Sequence, residues 1–471
     1  SNLTESQIAE YLNNNLTSTS ESDTQWFVEN EDTLIFIDPA TDPYGKNSNQ
    51  WNSQIQKTCD NYIGAANYDI GHVITKVSSF GANNGNAGCI ACICRSSQKG
   101  SGFSAYYDPS LLDYMVIDYW THEMGHQFGA NHTFTFSNES TQAQVEPGSG
   151  STIMGYAGIT GATDVQPHSD DLFAEVSISQ VLVYLKTGYG NTCGTATATG
   201  NTAPVANADT DYVIPKSTPF QLTGTASDAD ADDVLSYCWE QIDVGSSSTT
   251  YPKATATVGP AFRTYNYLPG TVRYFPDLTY ILQGANGFKW EVLPSVSRTL
   301  NFRFTARDNH AGGGNNKSDD MIVTTDANSG PFKVTIQNSN VEEWHGGETR
   351  TITWDVAGTD GGLINCTEVS IQLSTDGGYN FTTILAGKTP NDGSEDIVVP
   401  SANTKLARIK IKAVDNIFFD INDADFSISS TLPISWISFT AKKLSNSSAL
   451  LEWSTANESG NKYFSVERSS D

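Results

Sequence analysis

After residue 195 the sequence becomes a succession of short alternating runs, among them TLNFRFTA, TRTITWDV, VSIQLST, ARIKIKAV and ALLEWST, separated by Gly, Asp and Asn. A period of two residues puts every second side chain on one face of a strand, so each run needs a second layer to cover its apolar face. Helix-spaced apolar patterns almost vanish here, and β-sandwiches are the fold such runs build. A tryptophan lies in an apolar run at Trp239, Trp354 and Trp453, at intervals of 115 and 99 residues. An immunoglobulin-like sandwich with its buried Trp takes about 100 residues. The spacing predicts one sandwich over 197–328, a second over 329–430, and over 431–471 the start of a third that is too short to be complete.

The first 195 residues read differently. SQIAEYLNNNL (Ser6 to Leu16) and SISQVLVYLKTG (Ser177 to Gly188) carry helix-spaced apolar residues, while TLIFID and GHVITKV alternate as strands. A mixed α and β domain over 1–196 is expected, joined to the sandwiches by the small, polar, proline-punctuated linker Gly194 to Asp209. The overall fold class is therefore α+β followed by tandem all-β modules. Seven cysteines cannot all pair within the chain, so at least one is expected to be free or paired elsewhere. GCIACIC (Gly88 to Cys94) has apolar residues between its cysteines and reads as a buried strand rather than a metal site.

Charge narrows the partners. Asp plus Glu number 53 against 26 Lys plus Arg, a net charge of −27, which opposes phosphate backbones and argues against nucleic acid. No apolar run reaches the roughly 18 to 20 residues of a bilayer span, and the start, SNLTESQIAEYL, has neither a basic region nor an apolar signal core. The sequence reads as an already processed, soluble chain.

Three of the seven histidines fall in THEMGHQFGANHTF, residues 121–134. On a helix, His122 and His126 project from one face one turn apart and can chelate one ion, while Glu123 between them is placed as a general base. The helix is expected over Leu111 to Phe128, with Met115, Val116 and Trp120 on its buried face. Gly129 can take the left-handed conformation that ends a helix and turns the chain back. His132 then becomes a third ligand, and three imidazoles with an open fourth position favour catalytic zinc. His72 reads as a strand residue in the core, His168 as packing or solvent-facing, and His310 and His345 as loop residues.

HEMGHQFGANH followed by STIMGYAG (Ser151 to Gly158) resembles the metzincin zinc endopeptidases. With EPGSGSTIMGYAG and DVQPHSDDLFAEVSI, it is most similar to the reprolysin-like, adamalysin-type branch of secreted bacterial metallopeptidases. The resemblance implies that Met154 is the Met-turn, a hydrophobic base beneath the zinc, and that the helix and the segment after Met154 form the S1′ pocket. Tyr156 stands where the related astacins and serralysins carry a tyrosine that can stabilise the oxyanion. LPISWISFTAKK and the residues after it resemble the fibronectin-III-like modules that precede secretion signals in bacterial type IX cargo.

These readings predict a secreted or cell-surface zinc metalloendopeptidase acting on extracellular proteins or peptides, with the β modules available for surface or matrix attachment. The alternative is an adhesin built on a non-catalytic metzincin scaffold, which loss of Glu123 would have favoured. Substrate is expected to lie extended against an edge strand, with Cys89 to Cys94 as the candidate. In the first module, TASDADADDVLSY places Asp228, Asp230 and Asp232 at alternating positions that face one side of an extended loop. With Asp233 next in line and Asp308 from a neighbouring strand end, the cluster resembles the calcium loops of cadherin-like domains, and Ca2+ is the expected ion.

Overall fold

The computed structural model describes residues 48–76, 84–106, 114–245, 251–285, 287–339, 341–430, 435–457 and 464–467, together with the backbone of two short strands before residue 48. The expected helix Ser6 to Leu16 lies outside the described residues.

The N-terminal part is built on one five-stranded sheet. Its strands are β1 (Gln25–Phe27), β2 (Leu34–Phe36), β3 (His72–Lys76), β4 (Gly85–Asn86) and β5 (Gly102–Tyr106), in the order β2-β1-β3-β5-β4. β3 and β5 run parallel, whereas β4 pairs antiparallel with β5, Gly85 opposite Ser104, and forms the edge. Alternation along β3 explains how two layers meet the sheet. Val73 points to a cluster with Ile55, Cys59, Tyr68 and Phe103, covered by helix α1 (Trp51–Thr58). Its neighbour Ile74 points to the opposite face and packs on Met115, Val116 and Trp120. Those three residues precede or lead into helix α2 (His122–Gln127), through a π-helical stretch over Met115–Thr121. The apolar face expected of this helix is therefore observed, although Leu111 to Asp113 lie outside the described residues. Helix α3 (Glu175–Thr187) closes the domain where the sequence placed a helix.

Gly88 to Cys94 is not a strand. Ala91 and Cys94 have φ of 61° and 66°, which breaks any extended run, and two disulfides, Cys89–Cys92 and Cys94–Cys193, hold the loop instead. Its apolar residues serve a different purpose: the amides of Ala91 and Cys92 donate to the last carbonyls of α2, those of His126 and Gln127. The loop is a C-terminal stop for α2. Cys59, Cys238 and Cys366 are free and buried.

Beyond the linker the described residues form β structure, apart from the short helix Leu278–Leu282. Ser236–Gln241, Arg298–Arg307, Asn316–Asp326 and Tyr212–Pro215 form one sheet, faced by the pair Phe220–Thr223 and Val272–Phe275. Within the linker itself Val205–Asn207 is a strand, paired with Thr225–Ser227. A second set of strands spans Lys333–Val334 to Phe426–Ser429. Trp239 and Trp354 are buried in these two sets, as their spacing predicted. The two share one hydrophobic core from Ala208 to Ile428, and Gln221 N–H donates to the Ile417 carbonyl while Phe419 N–H donates to that of Pro219. The last described strands, Ser435–Lys443 and Ala449–Asn457, form a hairpin in which Trp453 packs on Phe464 and stays 37% exposed, unlike the other two tryptophans. His345 belongs to a short strand, Trp344–His345, not to a loop. Among the described residues no helix is long and apolar enough to cross a membrane.

Candidate metal centre

α2 sets the site. One helical turn brings the His122 and His126 rings to 4.8 Å between centroids, and both are buried. The helix ends where Gly129 takes φ of +108°, a conformation that costs a residue with a Cβ. The returning chain stacks His132 on the pair, 5.2 Å from His122 and 4.5 Å from His126. The metal-capable atoms of the three rings lie within 4.8 Å of one another.

The outer nitrogens decide what the inner ones can do. His122 Nδ1 donates to the Ile153 carbonyl at 2.6 Å and His126 Nδ1 to the Ala130 carbonyl at 2.7 Å. His132 Nδ1 meets the Glu139 carboxylate at 2.9 Å. A carbonyl or carboxylate can only accept, so each Nδ1 keeps its proton and each Nε2 presents a lone pair. Burial holds His126 and His132 down to about 4 and His122 well below its ordinary value, so the rings are neutral at physiological pH. Two such lone pairs, His126 Nε2 and His132 Nε2, stand 3.0 Å apart. That approach repels unless the two atoms share a cation, and three neutral imidazoles with fixed tautomers fit a zinc ion.

Glu123 sits on the same helix, closed in by the sheet edge: a Cβ at Gly85 of β4 would come within 2.5 Å of its Oε1. Burial pushes its carboxyl up to about 8, and the Ala87 backbone N–H opposes the shift. Positive charge at the three Nε2 atoms would oppose it further. Tyr156 lies against the cluster, 4.5 Å from the His132 ring and 5.5 Å from that of His122. Burial first, then Glu123 and Glu139, raise its phenol to about 12, so it keeps its proton.

Met154 is fully buried beneath the helix, in a cluster with Ala130 and Ile153. The contact requires Gly125, where a Cβ would meet the Met154 sulfur at 2.5 Å. Glu146 ties the turn to the segment after His132: its carboxylate accepts from the Thr133 and Thr152 hydroxyls, both at 2.6 Å, and from the Ser151 N–H. Gly85, Gly125, Glu139 and Glu146 were not singled out in the sequence. Gly125 alone left a signal there, a glycine inside an otherwise helical motif.

The remaining histidines are elsewhere. His72 on β3 bonds Gln127 of α2 and Ser104 of β5, and His168 packs edge-on against Tyr114. The edge beside Glu123 is β4, Gly85–Asn86, and not Cys89 to Cys94.

In the first β module the acidic residues converge only in part. Asp228, Asp233 and Asp308 bring carboxylate oxygens within 4.8 Å. Asp230 and Asp232 do not join them, because the loop is a turn rather than an extended strand and the two-residue alternation fails. Asp230 instead accepts from the Thr202 N–H. His310 Nδ1 bonds Asp233 at 2.7 Å, which raises its pKa. Asp228 Oδ2, Asp233 Oδ2 and Asn201 Oδ1 are buried without a hydrogen-bond partner, and the Asn201 amide donates to Asp308.

Residues 26–185 match the model of the metallopeptidase family M12B, reprolysin-like. No curated protein matches the chain. Among solved structures, the fibronectin(III)-like modules of Clostridium thermocellum CbhA are 10% identical, over 48% of this chain and 95% of theirs, with a TM-score of 0.16. Drosophila N-cadherin EC1-3 is 12% identical over 49% of this chain and 68% of its own, with a TM-score of 0.18. At such scores the likeness carries no argument, and the β architecture rests on its own sheets.

Proposed function

We propose, from the match of residues 26–185 to the reprolysin-like metallopeptidase model of family M12B, that this chain is a secreted zinc-dependent endopeptidase of extracellular proteins or peptides. The observation that carries the reading is the set of three neutral imidazoles whose Nδ1 protons are committed and whose Nε2 atoms converge beside Glu123. His122, His126 and His132 would hold the ion. Zinc bound there supplies Lewis-acid polarisation of water and of the scissile carbonyl.

The chain's own groups do the rest. Glu123 takes the proton of the attacking water and returns it to the leaving amine. Tyr156 donates its phenol hydrogen to the developing oxyanion. Substrate adds as a strand to the Gly85–Asn86 edge, which puts its backbone within reach of Glu123. Met154 packs under the ligand pair and fixes its height. The two disulfides support an extracellular setting. We divide the chain at 196, 328 and 430, with the β modules serving attachment, and assign Ca2+ to Asp228, Asp233 and Asp308 on the strength of the orphaned oxygens around them.

Digestion of a peptide library by the intact chain, read by mass spectrometry, tests the reading. Cleavage that a chelator stops and zinc restores is expected. Absence of cleavage with zinc bound would overturn it.

A further inference from the structure

The first β module touches the peptidase domain along the segment that follows the Met-turn. Residues 158–171 are held on one side by the peptidase itself: Asp118 Oδ1 accepts from Ser169 N–H at 2.7 Å, and Asp170 N–H donates to the Ser151 carbonyl at 2.8 Å. The other side is held by the module. The Arg263 guanidinium donates to Gln166 Oε1 and stands 3.9 Å from the Asp170 carboxylate. Asn266 Nδ2 donates to Asp171 at 2.7 Å, and Tyr251 and Lys289 both donate to the Ala162 carbonyl at 2.8 Å. The Ser151 hydroxyl, three residues before Met154, donates to the Thr264 carbonyl at 3.0 Å.

A second route reaches a histidine of the cluster. Gly245 N–H donates to the Gln144 carbonyl, Gln144 Oε1 accepts from Glu139 N–H, and Glu139 binds His132 Nδ1. Arg263 is itself fixed, with its side chain 13% exposed, its Nε on the Thr264 carbonyl and its guanidinium over the Tyr265 ring. A side chain so restrained loses little freedom when it holds a loop.

We propose that the first β module is a working part of the peptidase centre, with Arg263 as a positioning residue that fixes residues 158–171 and thereby selects the substrate side chain accepted beside Tyr156. The inference rests on the peptidase reading for its consequence, though not for the contact itself. A loop bridged by a charged, two-acceptor clamp has one conformation. Without the clamp it samples several, and the pocket wall it forms accepts more side chains with weaker binding.

The test uses the intact chain with Arg263→Met, Arg263→Lys and Asn266→Ala, the last at an exposed position. Hydrogen exchange over residues 158–172 is read alongside zinc content and the cleavage profile of a peptide library. Arg263→Met is expected to speed exchange in this segment by roughly ten- to hundredfold, as loss of a charge-assisted hydrogen bond does. KM should rise by about three- to tenfold with kcat within about twofold, the residue preference after the scissile bond should broaden, and zinc content should hold. Arg263→Lys should recover part of each change. Unchanged exchange and an unchanged profile in Arg263→Met would overturn the proposal. If that variant fails to fold, Asn266→Ala decides by the same readouts. If the native chain cleaves no peptide, the peptidase reading fails, while the exchange measurement still decides the clamp.

Discussion

The histidine cluster and the acidic cluster began as the same kind of signal, a spacing along the chain, and folding treated them differently. His122, His126 and His132 converge. Of Asp228, Asp230, Asp232 and Asp308, only the first and last do, and Asp233 completes the set. A helix has a fixed pitch, so a spacing of four residues decides which side chains share a face. A turn between strands has none, so its alternation holds only while the backbone stays extended. The difference extends to the surroundings. Each histidine has its outer nitrogen fixed by a carbonyl or carboxylate, whereas the acidic group keeps two buried carboxylate oxygens, and the neighbouring Asn201 its amide oxygen, without a partner.

The sharpest way to break this contrast is to disturb the helix from below. Gly125→Val would drive a branched side chain into the Met154 sulfur, 2.5 Å from where its Cβ must stand. Overpacking of this kind costs about 1–3 kcal/mol. The expected result is a chain that loses bound zinc and peptidase activity together, measured by metal content and turnover. Zinc retained at the native level would show that the Met-turn does not set the height of the ligand pair.

A smaller effect is expected from the group that orients His132. Glu139→Ala removes the carboxylate that accepts from His132 Nδ1. Losses of such partners weaken metal affinity by about 10- to 100-fold. Competition with a chelator of known affinity measures it, and an unchanged affinity would mean that His132 is oriented by its ring contacts alone.

For the acidic cluster the effect is a shift in stability. Calcium at about 100 times its dissociation constant adds roughly 2.7 kcal/mol to a state that alone binds it. The melting temperature of the intact chain should rise with calcium, and Asp233→Asn should abolish most of the rise while Asp232→Asn leaves it intact. Equal effects of the two substitutions would restore the extended-loop reading.

The smallest effect concerns the seam between the two regions. Burial first, then the neighbouring Glu175, raise Glu240 to about 8. A carboxyl with its folded pKa above its unfolded value stabilises the fold when protonated. That contribution is complete below about 4.5 and is lost as pH rises through about 8. Glu240→Gln should therefore flatten the decline in melting temperature over this window. An unaltered slope would remove Glu240 from the account.

What the sequence made legible follows the same division. The three histidines, Glu123 and Gly129 obey local geometry, and the Trp spacing picked out two tryptophans, Trp239 and Trp354, that are buried because each fills the core of its set of strands. Glu139 and Glu146 were hidden, since their partners His132, Thr133 and Ser151 lie 5 to 13 residues away across irregular loops, where no fixed period says which side chains meet. Cys89 to Cys94 misled because apolar residues between cysteines suit a strand, whereas the positive φ at Ala91 and Cys94 and two disulfides made it a loop. Arg263 left no mark at all, for its acceptor Gln166 lies in another domain.

The central claim is that the convergent histidines and Glu123 together form a hydrolytic centre. Glu123→Ala in the intact chain, with bound zinc and peptide turnover measured on the same sample, tests it most directly. Native zinc content is expected, with turnover lowered by about 10²- to 10⁴-fold, the contribution of a general acid–base group. Near-native turnover in that zinc-loaded variant would contradict it.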